Sequence, residues 1–212
     1  MAAVREHTEQ FRKALEALDK VQADRLFRQA LGDGSPLTAV EALVVPALDQ
    51  IGKAWNDGRI ALSQVYMSAR ICEDLVEKVL PRGDPVRRHQ PGMAIAALND
   101  YHLLGKRIVH SVLRAGGFEI EDYGRQEVSG LVERVGRDGV RILLISVLML
   151  PSALKARELR DALDRAGLDV KIAVGGAPFL FDAALWREVG ADAMGRCASD
   201  AVNIVRGWVE AM

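Results

Sequence analysis

After residue 92, short apolar runs alternate with segments of helical periodicity, and this alternation constrains the fold more than any other feature. The run Val140–Leu148 is apolar almost without interruption, which is typical of a central parallel strand covered on both faces. The pattern predicts strands at 93–98, 118–122, 140–148, 170–174 and 191–194, and helices at 105–115, 126–136, 151–166, 181–189 and 198–211. These successive β-α units predict a doubly wound, five-stranded parallel sheet.

The first 80 residues differ, because their apolar positions recur at helical spacing throughout. Four amphipathic helices predict a small bundle. Within it, Thr38 and Glu41 form a capping-box pattern that predicts a helix N-terminus, and Pro46 predicts a kink or a loosened turn. Three prolines and two glycines between residues 81 and 92 predict a linker. The predicted organisation is a helical domain at 1–80, a linker at 81–92 and an α/β domain at 93–212.

Composition excludes some classes of function. The 28 Lys and Arg residues nearly balance the 29 Asp and Glu residues, which gives a net charge of −1 and argues against nucleic acid as a partner. The sequence contains no long apolar run and no signal-like N-terminus, so we expect a cytoplasmic protein that does not bind membranes. Cys72 and Cys197 are far apart and are expected to be free thiols.

Asp100, His102 and Gly105 form the pattern D-x-H-x-x-G directly after the first predicted strand. A histidine beside an acid in such a loop is suited to bind a metal through one ring nitrogen. The other nitrogen donates to the carboxylate, which fixes the tautomer and the ring orientation. The glycine lets the chain turn closely into the next helix. The motif therefore predicts a metal-binding histidine.

Further unusual residues follow other strands. Ser146 and Leu148 lie at the end of the third strand, and Gly175 and Gly176 follow the fourth. In a flavodoxin-like strand order, 2-1-3-4-5, these loops meet at the carboxyl edge of the sheet, where ligands of such sheets bind. Paired glycines there allow close approach of a long ligand to the backbone.

Taken together, D-x-H-x-x-G at 100–105, S-x-L at 146–148 and G-G at 175–176 resemble the signature of cobalamin-binding domains that hold the cofactor base-off and His-on. The stretch Trp55–Ala69 is similar to the helical cap of corrinoid proteins of methyltransferase systems and of methionine synthase. The resemblance covers nearly the whole chain. It implies a four-helix bundle cap followed by a Rossmann-like cobalamin-binding domain.

The resemblance also implies roles for individual residues. His102 would replace the dimethylbenzimidazole base as the lower axial ligand of cobalt, Asp100 would hydrogen-bond to it, and Ser146 would complete that relay or meet the displaced base. The other positions implied to bind the cofactor are Tyr101, Leu103, Gly105, Leu148, Ser152, Gly175, Gly176 and Ala177, and those implied to cover the upper face of the corrin are Trp55, Val65, Tyr66 and Met67. Leu103 departs from the pattern, since methyl carriers usually have an acid there.

The function implied is that of a corrinoid methyl carrier that binds methylcobalamin or hydroxocobalamin. It would shuttle a methyl group between a substrate-specific methyltransferase and a second methyltransferase acting on tetrahydrofolate or a thiol, with a reductive activator protein as a further partner. The sequence contains no nucleophile elbow or phosphate-binding loop, so the chemistry would belong to the cofactor. A cobalamin-dependent sensor or storage module, an adenosylcobalamin mutase subunit and a flavodoxin-like domain without cobalamin remain alternatives. The stretch Trp55–Ala69 argues against the mutase.

Overall fold

A computed structural model describes residues 2–32, 35–81, 83–84 and 90–212, the side chains of residues 2–5 excepted. The chain divides into two compact units, one made of residues 1–89 and 111–118 and the other of residues 90–110 and 119–212. Residues 82 and 85–89 of the predicted linker lie outside the described residues. No helix in the described part of the chain is both long and apolar enough to cross a membrane.

The first unit is helical. Its elements are α1 (Ala2–Glu16), α2 (Lys20–Leu31), α3 (Pro36–Ala39), a π-helical turn (Val40–Val44), α4 (Val45–Asn56) and α5 (Leu62–Val79). The capping box expected at Thr38 is wrong, because Thr38 lies inside α3. That helix begins at Pro36, with Ser35 as the preceding N-cap residue in extended conformation. Proline is favourable in a first turn, where its missing N–H would have had no helical partner.

Pro46 loosens the helix as expected. Proline cannot donate to the carbonyl four residues back, and its ring crowds that carbonyl. The chain responds with the π-helical turn just before it, in which the Val45 N–H donates to the Val40 carbonyl, five residues back. The apolar faces of these helices form one core, joined across the unit by a hydrogen bond of 3.1 Å from Ser68 Oγ to the Leu15 carbonyl. Its most deeply buried large side chains include Phe11, Leu15, Leu26, Phe27 and Ile51.

The second unit is a five-stranded, wholly parallel sheet in the order β2-β1-β3-β4-β5, which confirms the predicted fold. The strands are β1 (Gly92–Leu98), β2 (Glu121–Gln126), β3 (Val140–Ser146), β4 (Lys171–Gly175) and β5 (Ala193–Gly195). The helices are α6 (Leu104–Ala115), α7 (Val128–Asp138), α8 (Leu150–Arg165), α9 (Ala177–Phe181), α10 (Leu185–Glu188) and α11 (Ala198–Ala211). Every residue of β1 after Gly92 is buried, as expected for a strand covered on both faces.

Two predicted elements differ from those observed. The second strand begins at Glu121 rather than Phe118, because β2 is an edge strand with a polar sequence, and the apolar Phe118 and Ile120 are buried in the segment before it. The helix predicted at 181–189 is shorter, because only α10 (Leu185–Glu188) lies within that range, and a separate short helix, α9, comes before it and ends at Phe181. Asp182 separates them by accepting a hydrogen bond of 2.9 Å from the Ala184 N–H, a local bond that competes with continuing the helix.

Candidate functional site

Asp100 is the centre of the hydrogen bonding at the carboxyl edge of the sheet. It follows β1, and its side chain is wholly buried. Its Oδ1 accepts from the backbone N–H of His102 at 2.9 Å and lies 2.7 Å from the same residue's Nδ1. Its Oδ2 accepts from the backbone N–H groups of Leu148 at 2.7 Å and Met149 at 3.0 Å. One carboxylate therefore orients the His102 ring and joins the β1–α6 loop to the β3–α8 loop.

The environment of Asp100 keeps it ionised. Burial raises the pKa of this carboxyl, but hydrogen bonds from the backbone amides of His102, Leu148 and Met149, and from the His102 side chain, together lower it well below its usual range. An ionised carboxylate can only accept, so the proton between the two side chains belongs to His102 Nδ1. In the neutral ring, Nε2 then carries the free lone pair, and the side chain is 54% exposed.

The donor set favours a metal that brings most of its own ligands. Among the described residues, no group of three or more His, Cys, Asp or Glu side chains is placed to bind a metal ion together. His102 therefore offers one oriented imidazole nitrogen at an accessible position. A single axial ligand of this kind fits a metal whose equatorial positions are already filled by a macrocycle, whereas a bare zinc ion requires three or four protein ligands.

Small residues form a row at the carboxyl ends of neighbouring strands. Ala97, Ser146 and Gly175 are paired in register across β1, β3 and β4, and Gly175 is paired with Gly195 of β5. A Cβ atom added to Gly105 would lie 3.4 Å from Ser146 Oγ, so these two predicted residues are close together. Gly195 is a member of the row that the sequence did not reveal. It ends a strand of three residues, and only the register shows that it stands beside the glycine pair.

Gly176 is required by the backbone. It adopts a φ of +124°, and an added Cβ would lie 1.7 Å from the Val147 carbonyl oxygen. The adjoining Gly175 carbonyl accepts from the Val147 N–H at 3.1 Å. The ends of β3 and β4 are thus joined closely where side chains are absent. Ala177 follows as the first residue of α9 and is half-buried.

The remaining predicted residues of this edge differ in accessibility. Tyr101 and Leu148 are exposed and Leu103 is half-buried. Ser152 is buried, and its hydroxyl donates to the Asn99 carbonyl at 2.8 Å. Asn99 was not predicted. It has a φ of +47°, which asparagine tolerates better than most residues, and so turns the chain from β1 into Asp100.

The predicted cap residues lie in the helical unit. Trp55 is half-buried near the end of α4. In α5, Val65 is buried, whereas Tyr66 and Met67 are half-buried. Their covering of a corrin stays a prediction.

Comparison with known proteins agrees with this geometry. Residues 91–205 match a family model described as a B12 binding domain, and residues 8–79 match a second model of the same description. Fold and site thus define a cobalamin-binding protein. The sequence is 32% identical over 213 residues to monomethylamine corrinoid protein 2 of Methanosarcina mazei, covering 93% of this chain and 96% of the relative. It is 27% identical over 204 residues to a trimethylamine corrinoid protein of Methanosarcina barkeri, covering 92% and 93%. The chain belongs to the family of cobalamin-binding corrinoid proteins of methyltransferase systems.

Solved structures share the fold. A monomethylamine corrinoid protein of Methanosarcina barkeri aligns over 98% of this chain and 99% of its own, with a TM-score of 0.58 and 27% identity. A cobalamin-binding protein from Desulfitobacterium hafniense aligns over 95% of this chain and 98% of its own, with a TM-score of 0.79 and 23% identity. The methanol:cobalamin methyltransferase complex MtaBC from Methanosarcina barkeri has a TM-score of 0.64 at 22% identity, covering 98% and 81%.

Proposed function

We propose that this protein is a methyl carrier that holds cobalamin base-off, with His102 as the lower axial ligand of cobalt. The observation that carries the proposal is the Asp100–His102 pair, in which Nδ1 is 2.7 Å from a buried carboxylate oxygen. This arrangement supports ligation through Nε2, because a fixed Nδ1 proton leaves the other nitrogen basic and oriented.

Bound cobalamin supplies a cobalt that accepts and releases a methyl group. The chain's own residues bind and orient the cofactor. Asp100 keeps the proton on Nδ1 and fixes the ring plane of His102. Ser146, Gly175 and Gly176 put only small side chains, or none, at the strand ends where we place the nucleotide tail that His102 would displace. The two glycines also let the backbone pack closely there, against Gly195 at Gly175 and against Val147 at Gly176.

The names of the relatives support methyl transfer over sensing or storage. The relatives are named trimethylamine corrinoid protein and monomethylamine corrinoid protein, and the chain aligns with them over nearly its full length. The proposed partners are a substrate-specific methyltransferase and a second methyltransferase for the acceptor, together with a reductive activator, in the cytoplasm. Among structural neighbours, MtaBC is a complex with a methyltransferase. We place recognition of the methyl donor on the substrate-specific methyltransferase.

The test is electron paramagnetic resonance of the Co(II) form, using protein whose histidines carry the heavy nitrogen isotope. Ligation by His102 predicts superhyperfine splitting that changes from the pattern of ordinary nitrogen to that of the heavy isotope. Dimethylbenzimidazole, which is not labelled, would keep the ordinary pattern. The His102→Ala variant should lose the isotope-dependent splitting.

His110→Gln is the matched control. His110 lies on α6, with Nε2 3.3 Å from the Ile120 carbonyl. Its substitution should therefore leave the spectrum unchanged. If the superhyperfine splitting is the same with ordinary and with labelled histidine, the cofactor keeps its own base as the ligand, and the ligation proposal is rejected.

A further inference from the structure

Tyr101, the residue between Asp100 and His102, carries an arginine on its ring. The Arg125 guanidinium carbon lies 4.3 Å from the centroid of the Tyr101 ring, which is a cation–π stack. Tyr101 is 79% exposed, so this stack stands at the surface next to the proposed cobalt ligand. Arg125 belongs to β2 and pairs in register with Ala97, one position before the end of the β1–β2 ladder.

Arg125 is held in place but makes little use of its hydrogen-bonding capacity. A guanidinium has five N–H donors. In the described part of the chain, its one hydrogen bond goes to Glu127 Oε1, at a long 3.4 Å. The side chain is 33% exposed, so it can be reached in part from outside the chain. Stacking on Tyr101 fixes the plane of these donors without consuming them.

The strand order places this stack and the glycine pair on opposite flanks of His102. The loop that bears His102 leaves β1, whose neighbours are β2 on one side and β3 then β4 on the other. Arg125 lies on the β2 side, whereas Gly175 and Gly176 lie at the end of β4. Adjacent strands are only about 4.8 Å apart, and a corrin is wider than that spacing. A ring bound at His102 would therefore extend toward the neighbouring strands, of which β2 bears Arg125.

We propose that Arg125, positioned by Tyr101, donates hydrogen bonds to a carboxamide oxygen on the edge of the corrin. This contact sets the affinity for the macrocycle and its orientation about the axis through His102. A corrin edge bears several carboxamide side chains, and a planar, oriented guanidinium is well suited to such an acceptor. The inference rests on the proposed ligation by His102 and assigns a further cofactor contact in β2.

Equilibrium titration of the apoprotein with hydroxocobalamin, followed by absorption, tests the contact. Arg125→Gln should weaken the affinity by about tenfold, the usual effect of losing a hydrogen bond from a charged donor. Tyr101→Ala should weaken it in the same direction but less, because the arginine remains and only its position is lost. Tyr101→Phe keeps the ring and should bind as the wild type does.

Arg141→Gln is the matched control. Arg141 is also a strand arginine of this unit, with a side chain that is 52% exposed, and it donates to Asp169 at 3.0 Å. It lies near the start of β3, at the opposite ends of the strands from His102. Its variant should leave the affinity unchanged.

A set of cobalamins in which single carboxamides are replaced by carboxylates identifies the acceptor. If Arg125 donates to one of these groups, the corresponding carboxylate should bind the wild type more tightly than cobalamin does, because charge-assisted hydrogen bonds are stronger. That gain should disappear in Arg125→Gln.

Equal affinities of wild type and Arg125→Gln for cobalamin and for every carboxylate in the set would overturn the proposal. So would an Arg125 variant that binds cobalamin normally and loses only methyl uptake from a methyltransferase, since the acceptor would then lie on the partner. If either result is found while the isotope-dependent splitting from His102 persists, only the proposed Arg125 contact is rejected, and the ligation by His102 stands. A wild type that lacks this splitting overturns the ligation and the contact together.

Discussion

At the scale of single residues, the Asp100 carboxylate holds two loops with four donors. Its partners are the amide and the ring of His102 on one loop and the amides of Leu148 and Met149 on the other. The sequence predicted the bond to the ring, because D-x-H is a local pattern. It could not predict the two amides of the β3–α8 loop, since backbone donors carry no sequence signal and depend on how β1 and β3 pair.

Replacing Asp100 by asparagine should weaken cobalamin binding by about 10–100-fold, the usual effect of removing a residue that orients a metal ligand. The carboxamide keeps the shape, but its NH2 group would face a donor on one of the two loops. Titration with hydroxocobalamin measures the loss. Asp169→Asn, an exposed carboxylate at the opposite ends of the strands, is the control. Unchanged binding in Asp100→Asn would show that the carboxylate does not orient the ligand.

Two glycines of the site differ in what they tolerate. Gly176→Ala combines a φ of +124° with a backbone clash at 1.7 Å, so we expect the free energy of unfolding to fall by more than about 2 kcal/mol. In Gly105→Ala, the added Cβ would contact only Ser146 Oγ, at 3.4 Å. Position 105 lies in a helix, where alanine is more favourable than glycine by up to about 1 kcal/mol. This variant should keep or raise stability and lose cobalamin affinity. Urea unfolding and cobalamin titration separate the two effects, and equal stability losses would contradict this assignment.

At the scale of elements, the end of the sheet opposite the site is held by one arginine and one aspartate. Arg160 of α8 donates to the carbonyls of Gly190 and Val170 and to the Asp192 carboxylate. The same carboxylate accepts from the Ile172 N–H at 2.8 Å and from Lys171 at 3.0 Å. These bonds join α8 to the starts of β4 and β5, so the short strand β5 is anchored where its own ladder is brief.

This anchor should depend on pH. Burial raises the pKa of Asp192, but the Ile172 amide, Lys171 and Arg160 outweigh it and leave the pKa below its usual value. A lowered folded-state pKa stabilises the protein above the unfolded value, near 4, and that contribution is lost as pH falls through the folded value. Asp192→Asn should therefore cost about 1–2 kcal/mol at pH 7 and progressively less below about pH 4. Urea unfolding from pH 7 to pH 3 measures this, and a constant difference would refute it.

The sequence predicted long buried strands better than edge strands. The residues of β1 and β3 are apolar because both faces are covered, so their patterns are unambiguous. The edge strand β2 is polar, and the apolar residues just before it shifted the prediction by three positions. The stack of Arg125 on Tyr101 was not predictable, since it joins residues 24 apart through the pairing of β1 with β2.

At the scale of the whole molecule, α6 contributes to both compact units. Its residues up to His110 belong to the unit of the sheet, and Ser111–Phe118 belong to the helical unit. There, the buried Arg114 pairs with Glu77, and Gly117 lies close to Leu37. The sequence predicted a boundary at 81–92 from prolines and glycines, but nothing local in α6 reveals that the helix serves two cores.

A fragment of residues 93–212 should therefore be less stable than the full chain. It would lack the partners of the segment Ser111–Phe118, including that of Arg114, which is 2% exposed. Exposing even one or two large apolar side chains of this segment costs about 1.5–3 kcal/mol each. Thermal unfolding followed by circular dichroism measures the difference, and adding residues 1–80 in trans should reduce it. A fragment that unfolds at the same temperature as the full chain would contradict this view.

Because Asp100 joins two loops, binding at one loop is coupled to binding at the other. The β1–α6 and β3–α8 loops share one carboxylate, so a molecule that shifts the Leu148–Met149 amides also alters the support of His102. Binding linkage is reciprocal: a change at the histidine must alter the affinity of whatever contacts Leu148 and Met149 by the same factor. These two side chains are 46% and 51% exposed. If His102 ligates the cobalt as proposed, a methyltransferase that contacts these two side chains would thereby respond to the coordination state of the metal.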